Sequence, residues 1–370
     1  VTTGARAVSP NGKLQHASFG AAGMAGADID SLSRHENFQL VAAADVSKRN
    51  LEELKKKHPD VRVYQDWREL LDKEGDKIDS VNVSTPDHMH GPIGLAALAK
   101  GKHVYGQKPL TQNLWECRQM MLRAREKGVM TQMGIQVSSG FEERFTVRLV
   151  QDGIIGKVKE VHTFSEKAWG DPNPRPEKGE EPPAELDWDL WLGVAKERPF
   201  IKGYYHPGNW RKRRDFGTGT LGDMGCHIFS AWFRGLALSA PLSVKSTGPE
   251  PNEHNWAIDG QVEYTFPGTF YTEEQTVKVT WYDGASRPPQ AVLDLVEKVP
   301  GQGNIIIGTE GVLLHPHGGT PQLFPREKYE KFRYPKLEPR NHYMEFVDCC
   351  LKGDRKPSAN FEYAAPLTEA

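Results

Sequence analysis

The sequence predicts an α/β domain built on a doubly wound parallel sheet, followed by an α+β domain with an open-faced, mostly antiparallel sheet. Three observations predict it. Short apolar runs alternate with helical stretches through the first 136 residues, the spacing of strand-helix-strand crossovers. The first apolar run, Leu14 to Phe19, leads directly into the small-residue turn Gly20-Ala21-Ala22-Gly23-Met24-Ala25-Gly26. From about Val137 the period changes to two, as in Val158 to Ser165, which marks strands with one buried face.

A length of 370 residues exceeds the roughly 250–300 at which one hydrophobic core stops growing, so two domains are expected, 13–136 and 137–370, behind a linker at 1–12. Lys and Arg number 47 against 49 Asp and Glu, a formal charge of −2. No global field therefore draws the chain to nucleic acid or to an anionic membrane. Cys117, Cys226, Cys349 and Cys350 lack metal-type spacing, so neither a disulfide framework nor a metal site is expected. No apolar run approaches the roughly 20 residues of a membrane helix.

The Gly, Pro, Ser and Ala-rich stretch from Val1 to Gly12 reads as a linker or a mature N-terminus left by a removed targeting segment. Near the other end, Thr368 reads as the cap of a helix that does not follow.

In the first domain, Gly20 takes the first position of a G-x-G-x-x-G turn while Ala22 and Ala25 replace the later glycines. Such a turn aims helix N–H groups at a pyrophosphate, and Gly20, Ala22, Gly23 and Met24 are the candidate phosphate contacts. The strand Phe38 to Ala44 ends in Asp45, where a carboxylate accepts from ribose hydroxyls and repels a 2′-phosphate. NAD is thus expected over NADP, with Lys48 and Arg49 softening the preference. The plainer reading of Asp45 is a helix N-cap. Further strands end at Ser84-Thr85-Pro86-Asp87-His88-Met89-His90, Gly106-Gln107-Lys108-Pro109 and just before Gln136. Ligands lie beyond such strand ends, so Ser84, Thr85, Pro86, His88, His90, Gln107, Lys108 and Gln136 join the cofactor candidates. Lys108 precedes a proline, which biases it away from helix, and it is the candidate donor to a substrate hydroxyl.

In the second domain, Asp171 to Glu185 carries five prolines and four glutamates and reads as an extended excursion over the surface. Asp223 and His227 sit at i and i+4 of an expected helix, on one face. A carboxylate there is expected to set the tautomer of His227 and raise its proton affinity, making it a general base. The alternative is a helix cap and a core histidine beside Ile228, Phe229 and Trp232. In Tyr204 to Arg214, aromatic and basic residues interleave, and His206, Asn209, Arg211 and Arg214 are candidate substrate contacts. Trp169, Trp188 and Trp191 read chiefly as core or interface, Trp169 being also a candidate platform for a sugar ring.

Taken together, the glycine turn, Thr85 to His90, Gln107-Lys108-Pro109, Leu186-Asp187-Trp188-Asp189-Leu190-Trp191-Leu192-Gly193 and Asp223-Met224-Gly225-Cys226-His227 resemble the Gfo/Idh/MocA family, over nearly the whole chain. The resemblance implies a Rossmann domain plus an open-sheet domain and packing of that sheet in homodimers or homotetramers. It matches Lys108, Asp223 and His227 to the family's catalytic lysine, aspartate and histidine. It also implies a twin-arginine export signal ahead of Val1, hence a periplasmic or exported protein; otherwise a cytoplasmic one. One departure is that the family's usual Glu-Lys-Pro is here Gln107-Lys108-Pro109, which removes a carboxylate beside the lysine.

The expected function is an NAD(H)-dependent oxidoreductase acting on a hydroxyl of a sugar, sugar acid or polyol. Two alternatives stand beside it: glycoside cleavage through transient oxidation and elimination by a retained NAD, and a protein that binds NAD and sugar without turnover.

Overall fold

The computed structural model describes residues 12–370; the rest of the expected linker lies outside them. The first sheet contains β1 (Leu14–Phe19), β2 (Phe38–Ala44), β3 (Arg62–Tyr64), β4 (Ser80–Val83), β5 (His103–Gly106) and β6 (Thr131–Met133) in the order β3-β2-β1-β4-β5-β6. Every pairing is parallel. Its central strands are covered on both sides, which is why they read as continuous apolar runs: Ala17, Phe19, Val81 and Val83 are all buried. Around it lie α1 (Met24–Leu32), α2 (Lys48–Lys57), α3 (Trp67–Glu74), α4 (His90–Ala99) and α5 (Leu114–Lys127). Ser47, Asp66 and Asn113 cap α2, α3 and α5 through their side chains. The order reverses between β1 and β4, so the crevice beyond their C-terminal ends is the topological switch point.

The second sheet is built from β7 (Val158–Ser165), β8 (Ser243–Ser246), β9 (Gln261–Pro267), β10 (Thr276–Asp283), β11 (Gln302–Gly308), β12 (Val312–Pro316) and β13 (Gln322–Phe324), ordered β13-β12-β11-β7-β10-β9-β8. Only β7 and β10 pair in parallel. One face packs on α6 (Phe141–Gln151) and α8 (Gly219–Gly235), where Phe229 and Trp232 meet Tyr264, Phe266 and Trp281. The other face is open as expected toward β9 and β10 and covered locally at β7, β11 and β12. Phe164, Ile305 and Leu314 are capped by Val292 and Val296, in and just after the short helix α9 (Gln290–Leu293). Toward β9 and β10 the same sheet exposes Glu263 and Lys278.

The 171–185 excursion is extended and tethered. Lys48 N–H donates to the Glu185 carbonyl at 2.8 Å, and Glu180 N–H to that of Phe200 at 2.8 Å. It leads into α7 (Trp188–Leu192). After α10 (Arg326–Tyr329), the chain returns to the first sheet through α11 (His342–Lys352) and α12 (Phe361–Glu369). Met133 N–H donates to the Ala359 carbonyl, and Phe361 N–H to the Thr131 hydroxyl. Thr368 is therefore not the cap of an unseen helix. It lies inside α12, with the Leu110 N–H 3.5 Å from its hydroxyl oxygen. Among the described residues no helix is long and apolar enough to cross a membrane.

Candidate active site

The turn after β1 is shaped by close approach. Gly20 has φ +105° and a Cβ there would meet Ser84 O at 2.7 Å and Ala25 Cβ at 2.8 Å, so only glycine fits. Next, α1 follows its N-cap residue Gly23, with no side-chain cap and no acidic residue in its first turn. Its first N–H groups are left for an anion. Ala22, at the second glycine position of the motif, is exposed and lines the cleft. Asp45 accepts from the N–H groups of Ala21 and Ser47, both at 2.9 Å, and from Asn50 Nδ2 at 3.1 Å. Burial raises its pKa and these bonds oppose the rise. These residues fit a dinucleotide: an uncapped helix end for the pyrophosphate and a fixed carboxylate for the ribose.

A cleft of about 430 Å3 runs from this turn to the second domain. Gly20, Ala22, Gly23, Met24, Asp45, Ser84, Thr85, Pro86, His90, Gln107 and Lys108 line one side, as expected from their places at the strand ends. Trp169, Trp191, His206, Trp210 and Arg211 close the other.

Lys108, on the cleft wall, has its Nζ 2.6 Å from Asp223 Oδ1. The Lys108–Pro109 bond is cis. Arg211 Nη1 is 3.1 Å from Oδ1 as well, and Lys167 Nζ is 3.3 Å from Oδ2. Burial pushes the Asp223 carboxyl up, but the charges of Lys108 and Arg211 outweigh it and hold the pKa well below the usual range. His227, one turn along α8, has its ring 5.7 Å from that of His317. Contrary to expectation, the Asp223 carboxylate makes no hydrogen bond to His227 among the described residues; the cations have taken it. Nor is the proton affinity of His227 raised. Burial, then the Lys108 charge, push its pKa well below the ordinary value, and Asp223 only partly opposes them.

Several expected contacts have other work. His88 is buried, its Nε2 3.3 Å and 3.2 Å from the carbonyls of Trp191 and Leu192, so it fastens α7 rather than facing a cofactor. His90 lines the cleft, yet its ring nitrogens reach the carbonyls of Pro109 and Thr85 at 2.7 Å and 2.8 Å and brace the lysine loop. Gln136 donates to the Tyr343 hydroxyl at 2.9 Å and lies off the cleft. Asn209 donates to the Gly203 carbonyl and Arg214 to that of Asn252, so neither is brought to the substrate side.

Lys108 does not lack a carboxylate partner, because Asp223 supplies one. Gln107 in turn donates to Asp28, at 3.1 Å and 2.9 Å from its two oxygens. Asp28 also accepts from the hydroxyls of Ser84 and Tyr343. Burial raises its pKa to about 6 against these bonds. Sequence reasoning missed Asp28, Asp87, Lys167 and His317. Lys167 and His317 follow the ends of β7 and β12, and only strand-end position signals them. Asp87 is buried, its Oδ2 2.7 Å from the Thr218 hydroxyl.

Residues 15–135 match the profile of the oxidoreductase family with an NAD-binding Rossmann fold, and residues 148–270 match that family's C-terminal alpha/beta domain. The chain belongs to the Gfo/Idh/MocA oxidoreductase family. An uncharacterised oxidoreductase of Synechocystis sp. is 26% identical over 238 residues, 61% of this chain and 54% of that protein. The match thus spans about half of that relative's length. A glycosyl hydrolase family 109 protein of Shewanella sp. is 29% identical over 161 residues, 41% of this chain and 35% of its own. Among solved structures, aldose-aldose oxidoreductase from Caulobacter crescentus superposes with a TM-score of 0.64 at 18% identity, covering 96% of this chain and 94% of that one. In this family member Lys108, which lines the cleft, is ion-paired with Asp223, and His227 follows Asp223 by one turn of α8.

Proposed function

We propose that this family member is an NAD(H)-linked oxidoreductase acting on a hydroxyl of a sugar, sugar acid or polyol. The convergence of Lys108, from the end of β5, with Asp223 and His227 on α8 carries this reading. Gly20 and the open end of α1 would hold the pyrophosphate, and Asp45 the ribose. The acid at 45 favours NAD over NADP. Bound NAD supplies the hydride acceptor. The chain's own groups handle the proton and the charge. His227, neutral at pH 7 because its pKa is depressed, takes the hydroxyl proton. Lys108, aimed by its hydrogen bond to Asp223, donates to the developing alkoxide. Trp169, His206 and Arg211 bound the substrate end.

Lys108→Met and His227→Asn are expected to lower kcat by roughly 10²–10⁴ each on any sugar or polyol that reduces added NAD, measured by nicotinamide absorbance and product analysis. Variants as active as the parent would refute the assignment. On the same footing we propose that copies of the chain associate through the exposed part of the second sheet, with light scattering as the check.

A second reading is favoured by the cover over the cleft. Trp191 and His206 line it, and residue 186 pairs with residue 47 beside the turn. A cofactor kept under that cover through each cycle suits glycoside cleavage by transient oxidation. Release of nitrophenol from an aryl glycoside with no net NADH would select it.

A further inference from the structure

We infer that the substrate bears a carboxylate, as a uronic acid or other sugar acid does, and that Lys167 and Arg211 are there to receive it. The inference rests on the proposed reading of this cleft and narrows its substrate class.

The argument is one of charge and donors. Three cations, Lys108, Arg211 and Lys167, converge on the single carboxylate of Asp223, at 2.6, 3.1 and 3.3 Å. Asp223 neutralises one of them. The second acid at hand is Asp87, whose Oδ1 lies 3.8 Å from Arg211 Nη1. With both acids ionised, three positive charges face two negative ones. His227 and His317 add no negative charge, and the lysine charges contribute to the lowering of both their pKa values. A pyrophosphate would be served by the backbone at α1 rather than by this cluster.

The donor count points the same way. Trp169 Nε1 is buried and makes no hydrogen bond among the described residues, and Arg211 Nη1, though 3.1 Å from Asp223 Oδ1, is not aligned for a hydrogen bond to it. Both groups can only donate, so each can take a further acceptor. A neutral sugar would supply acceptors but displace water without offsetting the excess of one positive charge over the two acids, which is costly. A carboxylate cancels the charge and takes two donors at once, the geometry for which a guanidinium is built. Lys167, with its side chain 41% exposed, has donors to spare beyond Asp223.

The test compares each acid with its own methyl ester, which keeps every ring hydroxyl and removes only the charge. NAD-loaded protein is titrated with D-glucuronate, D-galacturonate and D-mannuronate, with their methyl esters and with the parent aldoses. Calorimetry and nicotinamide absorbance are read in parallel. At least one acid is expected to bind about tenfold or more tightly than its ester, the scale of one charge-assisted bond, and added salt should weaken the acid alone. Lys167→Met should bring the acid-to-ester ratio toward one. Esters or aldoses that bind as tightly as the acids, or acids that do not bind at all, overturn the inference. Acids that bind without any redox change uphold it and refute the dehydrogenase reading. Turnover of neutral sugars with no preference for acids does the reverse.

Discussion

Position 107 holds an amide where the family's usual tripeptide has an acid, and the acid is found opposite it, on Asp28. An amide donor facing a buried carboxylate is a satisfied pair; two carboxylates there would not be. Gln107→Glu is therefore expected to cost about 3–5 kcal/mol once both groups ionise. Protonation of either relieves the clash, so the loss of Tm should be small at pH 5 and large at pH 8. Asp28→Asn combined with Gln107→Glu should recover most of it, a strong coupling in a double-mutant cycle followed by thermal denaturation. His227 makes a second prediction at this scale. A base works only when unprotonated, and a depressed pKa keeps it so at lower pH. The profile of kcat/KM should stay level from pH 8 down through 6.5, with its acid limb below that value. Had Asp223 raised the proton affinity of His227, as the sequence alone suggests, the limb would lie above 6.5. The i, i+4 spacing was legible, and so were Lys108 and Arg211 as site candidates; their capture of the Asp223 carboxylate was not, because sequence spacing does not say which cation a carboxylate will meet.

Among elements, α7 and the extended chain around it decide how the cleft is covered. Gly193 ends α7 at φ +56°, and a Cβ there would run into Met89 Sδ. His88 holds the same helix by its last carbonyls. Gly193→Ala is expected to loosen this cover more than the core beneath it, with a loss of about 1–3 kcal/mol from the strained backbone. Faster cleavage by trypsin within residues 175–202, with the cores of both sheets unchanged by hydrogen exchange, would show it. The sequence announced the excursion by its prolines and the motif around α7 by resemblance, but not the role of His88. A histidine at a strand end looks the same whether it faces a ligand or grips two carbonyls. β3 and β13, three residues each, escaped notice; β6 is as short but was read because it closes the run of alternating strands and helices.

On the scale of the whole molecule, both sheets were legible, since long apolar runs and strict alternation survive any context. The return of α11 and α12 to the first sheet was not, because an amphipathic helix does not say which surface it will cover. Tyr105 stacks on Tyr343 with centroids 5.5 Å apart, and His342 Nε2 lies 3.0 Å from the Met133 carbonyl. The segment 13–136 alone should therefore show no cooperative melt by circular dichroism, whereas adding a peptide of residues 338–370 should restore one. The same arrangement governs synthesis. Because Tyr343 reaches Asp28 and Thr368 lies at Leu110, the loop that carries Lys108 is expected to order only once α11 and α12 have been made. A nascent chain stalled earlier would leave apolar faces of the first sheet bare, the kind of surface through which incomplete chains aggregate.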